Sequence, residues 1–168
     1  MNLIVNVNLP GWGIGFENSL LVHISADLMR FAALTTGNTV ICGRKTLQTF
    51  PGGKPLKNRT TWILSGTPGF RPDGTAVYPT LDSLLAACRA ADPERLWVIG
   101  GASVYAALLP YCRTAYLTRT FQEAEADAFF PDLDQDPGWQ LLHEGPVLEE
   151  NGLQYQFAEY LQESPLPL

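Results

Sequence analysis

Asp27 stands in an otherwise apolar setting, ahead of Leu28, Met29 and Phe31. With Ser25 as N-cap, a helix from Ala26 to about Thr36 places Asp27, Phe31 and Leu34 at i, i+4 and i+7, on one face. A carboxylate on a stripe with a Phe and a Leu, lacking a cation of its own, would be costly to keep ionised, so it calls for a ligand that offers hydrogen bonds. The plainer alternative is an acid in a first helical turn that complements the helix dipole.

Two further stretches suit phosphate. At Gly43, a short apolar run opens onto Arg44, Lys45 and Thr46 at a helix start, where free backbone N–H groups and two cations point the same way. At Ile99-Gly100-Gly101-Ala102, glycines allow backbone to approach a ligand closely before a second helix. Any α/β crossover looks like this, and neither the GxGxxG spacing nor a Walker lysine is present. Two helix N-termini at strand ends nonetheless suit the two ends of a dinucleotide. Lys54 and Arg59 form another anion site, away from both.

The elements that must position these residues alternate. Residues 2 to 9 read as a strand, and Pro10-Gly-Trp-Gly13 opens a long loop reaching His23, of a length that is usually functional or mobile. Thr39 to Gly43 and Arg95 to Gly100 read as strands buried on both faces, as in parallel sheets. Thr60 to Ser65 and Thr75 to Tyr78 are further strands. Helices are expected after Thr80, through Leu81, Leu84, Leu85 and Cys88, and after Gly101, through Val104, Tyr105, Leu108 and Leu109. Arg113 to Phe121 is β-rich, and Val147 to Phe157 is a hairpin turning at Asn151-Gly152. The fold class is therefore α/β: a single domain with a mostly parallel central sheet, flanking helices and a C-terminal antiparallel hairpin. Residues 1–163 form the domain, and 164–168 are expected to be a flexible tail.

The 168-residue length suits one domain, and 46% hydrophobic with 17% charged residues excludes a disordered chain. No apolar run is long enough for a membrane span, and the first residues read as a strand and not a signal peptide. Cys42, Cys88 and Cys112 are odd in number and widely spaced, which suits reduced thiols in the cytoplasm and implies no metal site. Charge is divided along the chain. Seven bases and no acid lie between Leu28 and Pro72, whereas eleven acids and no base follow Arg119. A local cationic field on a chain of net charge -6 suggests a small anionic ligand and argues against nucleic acid; the alternative is a solvated basic face.

In this order and spacing, several segments resemble the bacterial type of the dihydrofolate reductase family over nearly the whole chain. They are Gly13-Ile-Gly15 with Asn18, Ala26-Asp-Leu28 with Phe31, Cys42-Gly-Arg-Lys-Thr46, Pro55-Leu-Lys-Asn-Arg59, Ile63-Leu-Ser65, Val98-Ile-Gly-Gly101 with Val104-Tyr105, Tyr116-Leu-Thr118, and Phe130-Pro131. The resemblance implies NADPH-dependent reduction of 7,8-dihydrofolate to tetrahydrofolate, in a monomer that also binds antifolate inhibitors. It implies that Asp27 is the catalytic carboxylate, bonding the 2-amino group and N3 of the pterin with support from Thr118. Val5, Phe31 and Ile99 would flank the pterin, Leu28 and Phe50 the benzoyl group, and Lys54 and Arg59 the glutamate tail, whose α-carboxylate Arg59 would grip. Ile14, Gly15, Asn18, Leu20 and Tyr105 would line the nicotinamide side. Gly43, Arg44, Lys45, Thr46, Leu64 and Ser65 would serve the adenosine end, and Gly100, Gly101, Ala102, Ser103 and Val104 the pyrophosphate. Asp127 would hold the loop of residues 10 to 23, and the Gly100–Gly101 peptide is expected to be cis.

This chain departs from the family pattern at several positions. Leu20-Leu21-Val22 replaces the usual Pro-Trp segment, so an indole that helps fix water and substrate is absent. Asn6 replaces a small residue. Gly66 and Ser103 stand where members often carry groups for the adenosine phosphates, which leaves the preference for NADPH mainly to Arg44 and Lys45. Two rivals remain at this point: a reductase of the same fold acting on another heterocycle, as in riboflavin biosynthesis, and a non-catalytic pterin- or nucleotide-binding module.

Overall fold

The computed structural model describes residues 1–168. In chain order the strands are β1 (Asn2–Asn8), β2 (Gly13–Phe16), β3 (Ser19–Leu20), β4 (Thr39–Gly43), β5 (Thr60–Leu64), β6 (Thr75–Tyr78), β7 (Leu96–Gly100), β8 (Thr114–Thr120), β9 (Ala128–Phe129), β10 (Trp139–Glu144), β11 (Leu148–Glu150) and β12 (Leu153–Gln162). The helices are α1 (Ser25–Thr35), α2 (Arg44–Gln48), α3 (Leu81–Arg89) and α4 (Ala102–Leu108).

The main sheet runs β10-β12-β8-β1-β7-β4-β5-β6. From β8 through β6 every neighbouring pair is parallel, whereas β12 is antiparallel to β8 and β10 to β12. Burial on both faces explains why β4 and β7 are apolar runs without alternation. Val40, Ile41 and Cys42 are buried in sequence, as are Leu96, Trp97 and Val98. On one face Leu3, Val5, Val7, Ile41, Val98 and Leu117 pack with Leu84, Leu85 and Cys88 of α3 and Val104, Tyr105 and Leu108 of α4. On the other, Ile4, Val40 and Trp97 meet Phe31 and Leu34 of α1, and Cys42 and Ile63 meet Leu47 of α2 and Phe50. The three cysteines are free and buried.

Thr80 caps α3 as expected, in a capping box with Ser83. Ser25 does not cap α1. It is the first helical residue, Ile24 occupies the cap with no side-chain bond, and the Glu150 carboxylate accepts from the Ser25 N–H at 3.1 and 2.8 Å. An acceptor brought from β11 thus does the work that a local Ser would have done. Asn151 and Gly152 turn with φ of 53° and 81°, as a two-residue hairpin requires.

Two expectations fail. The loop of residues 10 to 23 contains β2 and β3, a small hairpin that turns through Glu17 and Asn18 at positive φ and pairs with β9. Residues 164–168, expected to be a flexible tail outside the domain, touch it: Leu166 N–H donates to Pro110 O at 2.8 Å, and Leu168 packs on the main core. The reason is the apolar content of Pro165-Leu-Pro-Leu168, which composition as a terminus conceals.

Candidate active site

The C-terminal ends of β1, β7, β4 and β5 open into one cavity of about 730 Å³, walled on its far side by β2, β3 and β9. β4 and β7 are adjacent and parallel, so α2 and α4, which follow them directly, start side by side. Gly43 caps α2, and a Cβ on it would lie 3.2 Å from a methyl of Val104. The Gly100–Gly101 peptide is cis, as expected, and Cβ atoms there would approach Thr46 Oγ1 to 3.4 and 3.3 Å. Side chains at these positions would crowd the two helix starts where they converge. In α4 the first intrahelical bond runs from Tyr105 N–H to Gly101 O, so the N–H groups of Ala102, Ser103 and Val104 precede the helical ladder at the cavity wall.

Of the residues expected at the cofactor, Ile14, Gly15, Asn18, Leu20, Gly43, Arg44, Lys45, Thr46, Leu64, Gly100, Gly101, Ala102, Ser103, Val104 and Tyr105 all line this cavity. Ser65 does not. It lies just past β5, where its hydroxyl accepts from Thr67 N–H at 3.3 Å. Tyr105 is buried, its hydroxyl donates to Ile4 O at 2.7 Å, and burial pushes its ionisation well above the ordinary tyrosine range. Beside the pairing with β9, Asp127 helps hold the loop of residues 10 to 23: its Oδ2 accepts from Glu17 N–H at 2.9 Å, while its N–H donates to Gly15 O at 3.0 Å. A Cβ on Gly13 would come within 2.7 Å of Ala126 Cβ, so this closure also needs a glycine.

The expected substrate residues extend from the cavity along α1. Val5 and Ile99 line the cavity itself. Ile99 and Phe31 pack against the cluster of Ile4, Val40 and Trp97, and Ile99 and Phe50 against that of Cys42, Leu47 and Ile63, so Ile99 belongs to both apolar groups. Leu28 is exposed, as is Lys54. Arg59 crosses to the C-terminal end of α1: Nε donates to Thr35 Oγ1 at 3.0 Å, one terminal nitrogen to Lys57 O at 3.0 Å and the other to Thr36 Oγ1 at 3.3 Å. One N–H on each terminal nitrogen is left over, the fork that fits a carboxylate.

Asp27 is not a bland surface acid. Thr118 Oγ1 donates to its Oδ1 at 2.5 Å, and Asn6 Nδ2 donates to its Oδ2 at 3.3 Å. Burial pushes its carboxyl above the usual range, opposed by those two hydrogen bonds and by the Arg30 charge. Arg30 itself is committed elsewhere: it donates to Leu117 O at 3.0 Å, pairs with Glu159 at 3.6 Å and lies over the Phe157 ring. The contact from Asn6 is the part of the site that residue-by-residue reasoning missed. Its only signal was a polar residue where a small one is usual.

A parallel sheet opening at its strand ends onto a glycine-lined, cation-flanked cleft defines a dinucleotide-binding α/β protein. Residues 1–162 match the family described as dihydrofolate reductase. Among relatives, the dihydrofolate reductase of Bacillus subtilis is 36% identical over 149 residues, covering 88% of this chain and 86% of that one. Dihydrofolate reductase type 3 of Salmonella typhimurium is 35% identical over 147 residues, covering 86% and 88%. Among solved structures, dihydrofolate reductase from Enterococcus faecalis, complexed with NADP(H) and RAB-propyl, superposes with a TM-score of 0.85 at 29% identity, covering 97% of this chain and 96% of that one. The chain belongs to the dihydrofolate reductase family.

Proposed function

We propose that this chain reduces 7,8-dihydrofolate to tetrahydrofolate with NADPH, using the cavity for the cofactor and the α1 flank for the substrate. The observation that carries this reading is Asp27, a partly buried carboxylate braced by Thr118 and Asn6 on the helix that also carries Phe31. The residues fit the cofactor: the two convergent helix starts and the glycines between them suit phosphate, and Arg44 and Lys45 supply the charge a 2′-phosphate needs. Bound NADPH supplies the hydride, which reduces the N5–C6 double bond at C6.

The chain's own residues bind, orient and polarise. Asp27 would hydrogen-bond the 2-amino group and N3 of the pterin, at the edge opposite N5, and so cannot hand N5 its proton. An ionised carboxylate there favours positive charge on the ring, which makes N5 easier to protonate from water. Arg59, Lys54, Leu28 and Phe50 would take the benzoyl-glutamate. Antifolates would occupy the same flank. Three unpaired cysteines suit the cytoplasm, a net charge of -6 disfavours nucleic acid, no helix is long and apolar enough to cross a membrane, and the family resemblance suggests a monomer. The test is NADPH absorbance with dihydrofolate: enzyme-dependent oxidation is expected, and its absence would point to a binding module.

A further inference from the structure

Asn6 and Thr118 are partners in the register of two parallel neighbours, β1 and β8. From adjacent strands each donates to a different oxygen of the same carboxylate, Thr118 to Oδ1 and Asn6 to Oδ2 of Asp27. Asn6 also borders the main cavity and, together with Asn8, Gly13, Leu20, Leu21 and Val22, a crevice behind it. That crevice is too tight to admit a water molecule. With Asn6 in place no water fits behind its amide, so a small or apolar residue at position 6 would take from Oδ2 the donor it now has.

We propose that Asn6 is a positioning residue for the reductase reaction, which with Thr118 orients the Asp27 carboxylate before substrate arrives. This rests on Asp27 being the acid that binds the pterin. The mechanism is local. A donor to the charged form favours that form, and removing it lets desolvation raise the protonation midpoint.

The other groups around Asp27 do not depend on Asn6. On α1, Arg30 is held by Leu117 O, Glu159 of β12 and the ring of Phe157. On β8, Tyr116 lies under the Arg30 guanidinium. On α4, the Tyr105 hydroxyl is turned to Ile4 O. On β11, Glu150 binds the Ser25 N–H at the start of the helix. A change in Asp27 titration on altering Asn6 therefore reports their direct contact.

The experiment titrates the Asp27 carboxyl by ¹³C NMR in the free enzyme, with its resonance identified by its loss in Asp27→Asn, and compares wild type with Asn6→Ala and Asn6→Asp. Asn6→Ala removes the donor and should raise the midpoint by about one pH unit. Asn6→Asp keeps the shape but sets a like charge against Oδ2, so it should raise the midpoint further and carries the test should the alanine variant not fold. The acidic limb of dihydrofolate binding should move with the midpoint. An unchanged Asp27 midpoint in the folded variant overturns the proposal. The titration needs no turnover, so a failure to reduce dihydrofolate would sink the folate reading while leaving this contact tested on its own.

Discussion

In the proposed reading Asp27 would set activity against stability at a single side chain. Its folded-state protonation lies above the unfolded one, chiefly through burial. Its contribution is therefore intact below the unfolded value, where both states are protonated, and is lost as pH rises through the folded value. Asp27→Asn should leave stability nearly unchanged in acid and increase it at neutral pH, which urea unfolding of the ligand-free protein at the two pH values would measure. The same change should slow single-turnover NADPH oxidation at neutral pH by roughly 10² to 10⁴, the range of acid-base groups. Partial recovery in acid is expected, since solvent can then protonate N5; a slow rate that ignores pH would refute the electrostatic role. In the proposed reading Arg59 would act on a different part of the substrate. With its fork aimed by Thr35, Thr36 and Lys57, Arg59→Ala should raise KM for dihydrofolate about tenfold while sparing a dihydropterin that has no glutamate. Equal losses on both substrates would remove Arg59 from the tail. The apolar helical stripe singled Asp27 out without deciding between a ligand-binding acid and an ordinary first-turn acid, and the role proposed for it came from the family resemblance. The Asn6 contact was not legible, because nothing within β1 reveals that its amide reaches a helix lying across the sheet.

At the scale of elements, α1 is pinned at both ends by residues remote in sequence: Glu150 at its first N–H and Arg59 at its last turn. Removing the acceptor in Glu150→Ala should cost about 0.5–1 kcal/mol, the lower part of the range for helix caps because the contact is exposed. Chemical denaturation would read that loss, and no change in midpoint would mean that water replaces the carboxylate fully. The helix was readable from its periodicity, but its cap was not, since the sequence offers Ser25 at the right place. β10 escaped for a related reason. Past Trp139 all its residues are exposed, and a register shift between Leu141 and His143 breaks the alternation by which strands are found. The buried strands β4 and β7 were legible for the opposite reason, as short unbroken apolar runs ending in glycine.

At the scale of the whole molecule, the parallel strands carry the cavity and the antiparallel ones clasp α1 through Glu159 of β12 and Glu150 of β11. The three thiols are spread through this body, on β4, on α3 and just after α4, each fully shielded and each raised by burial, to about 12, about 11 and about 12. They therefore serve as built-in clocks of unfolding. A chromogenic disulfide can modify them only when the chain opens, because the reactive thiolate is both hidden and disfavoured. Saturating NADPH draws the population away from open forms, so at a hundred times its Kd labelling that requires global opening should slow about a hundredfold. A cysteine whose rate ignores the cofactor would mark a region that opens by itself, and three rates read on one sample would show which part of the molecule lets go first.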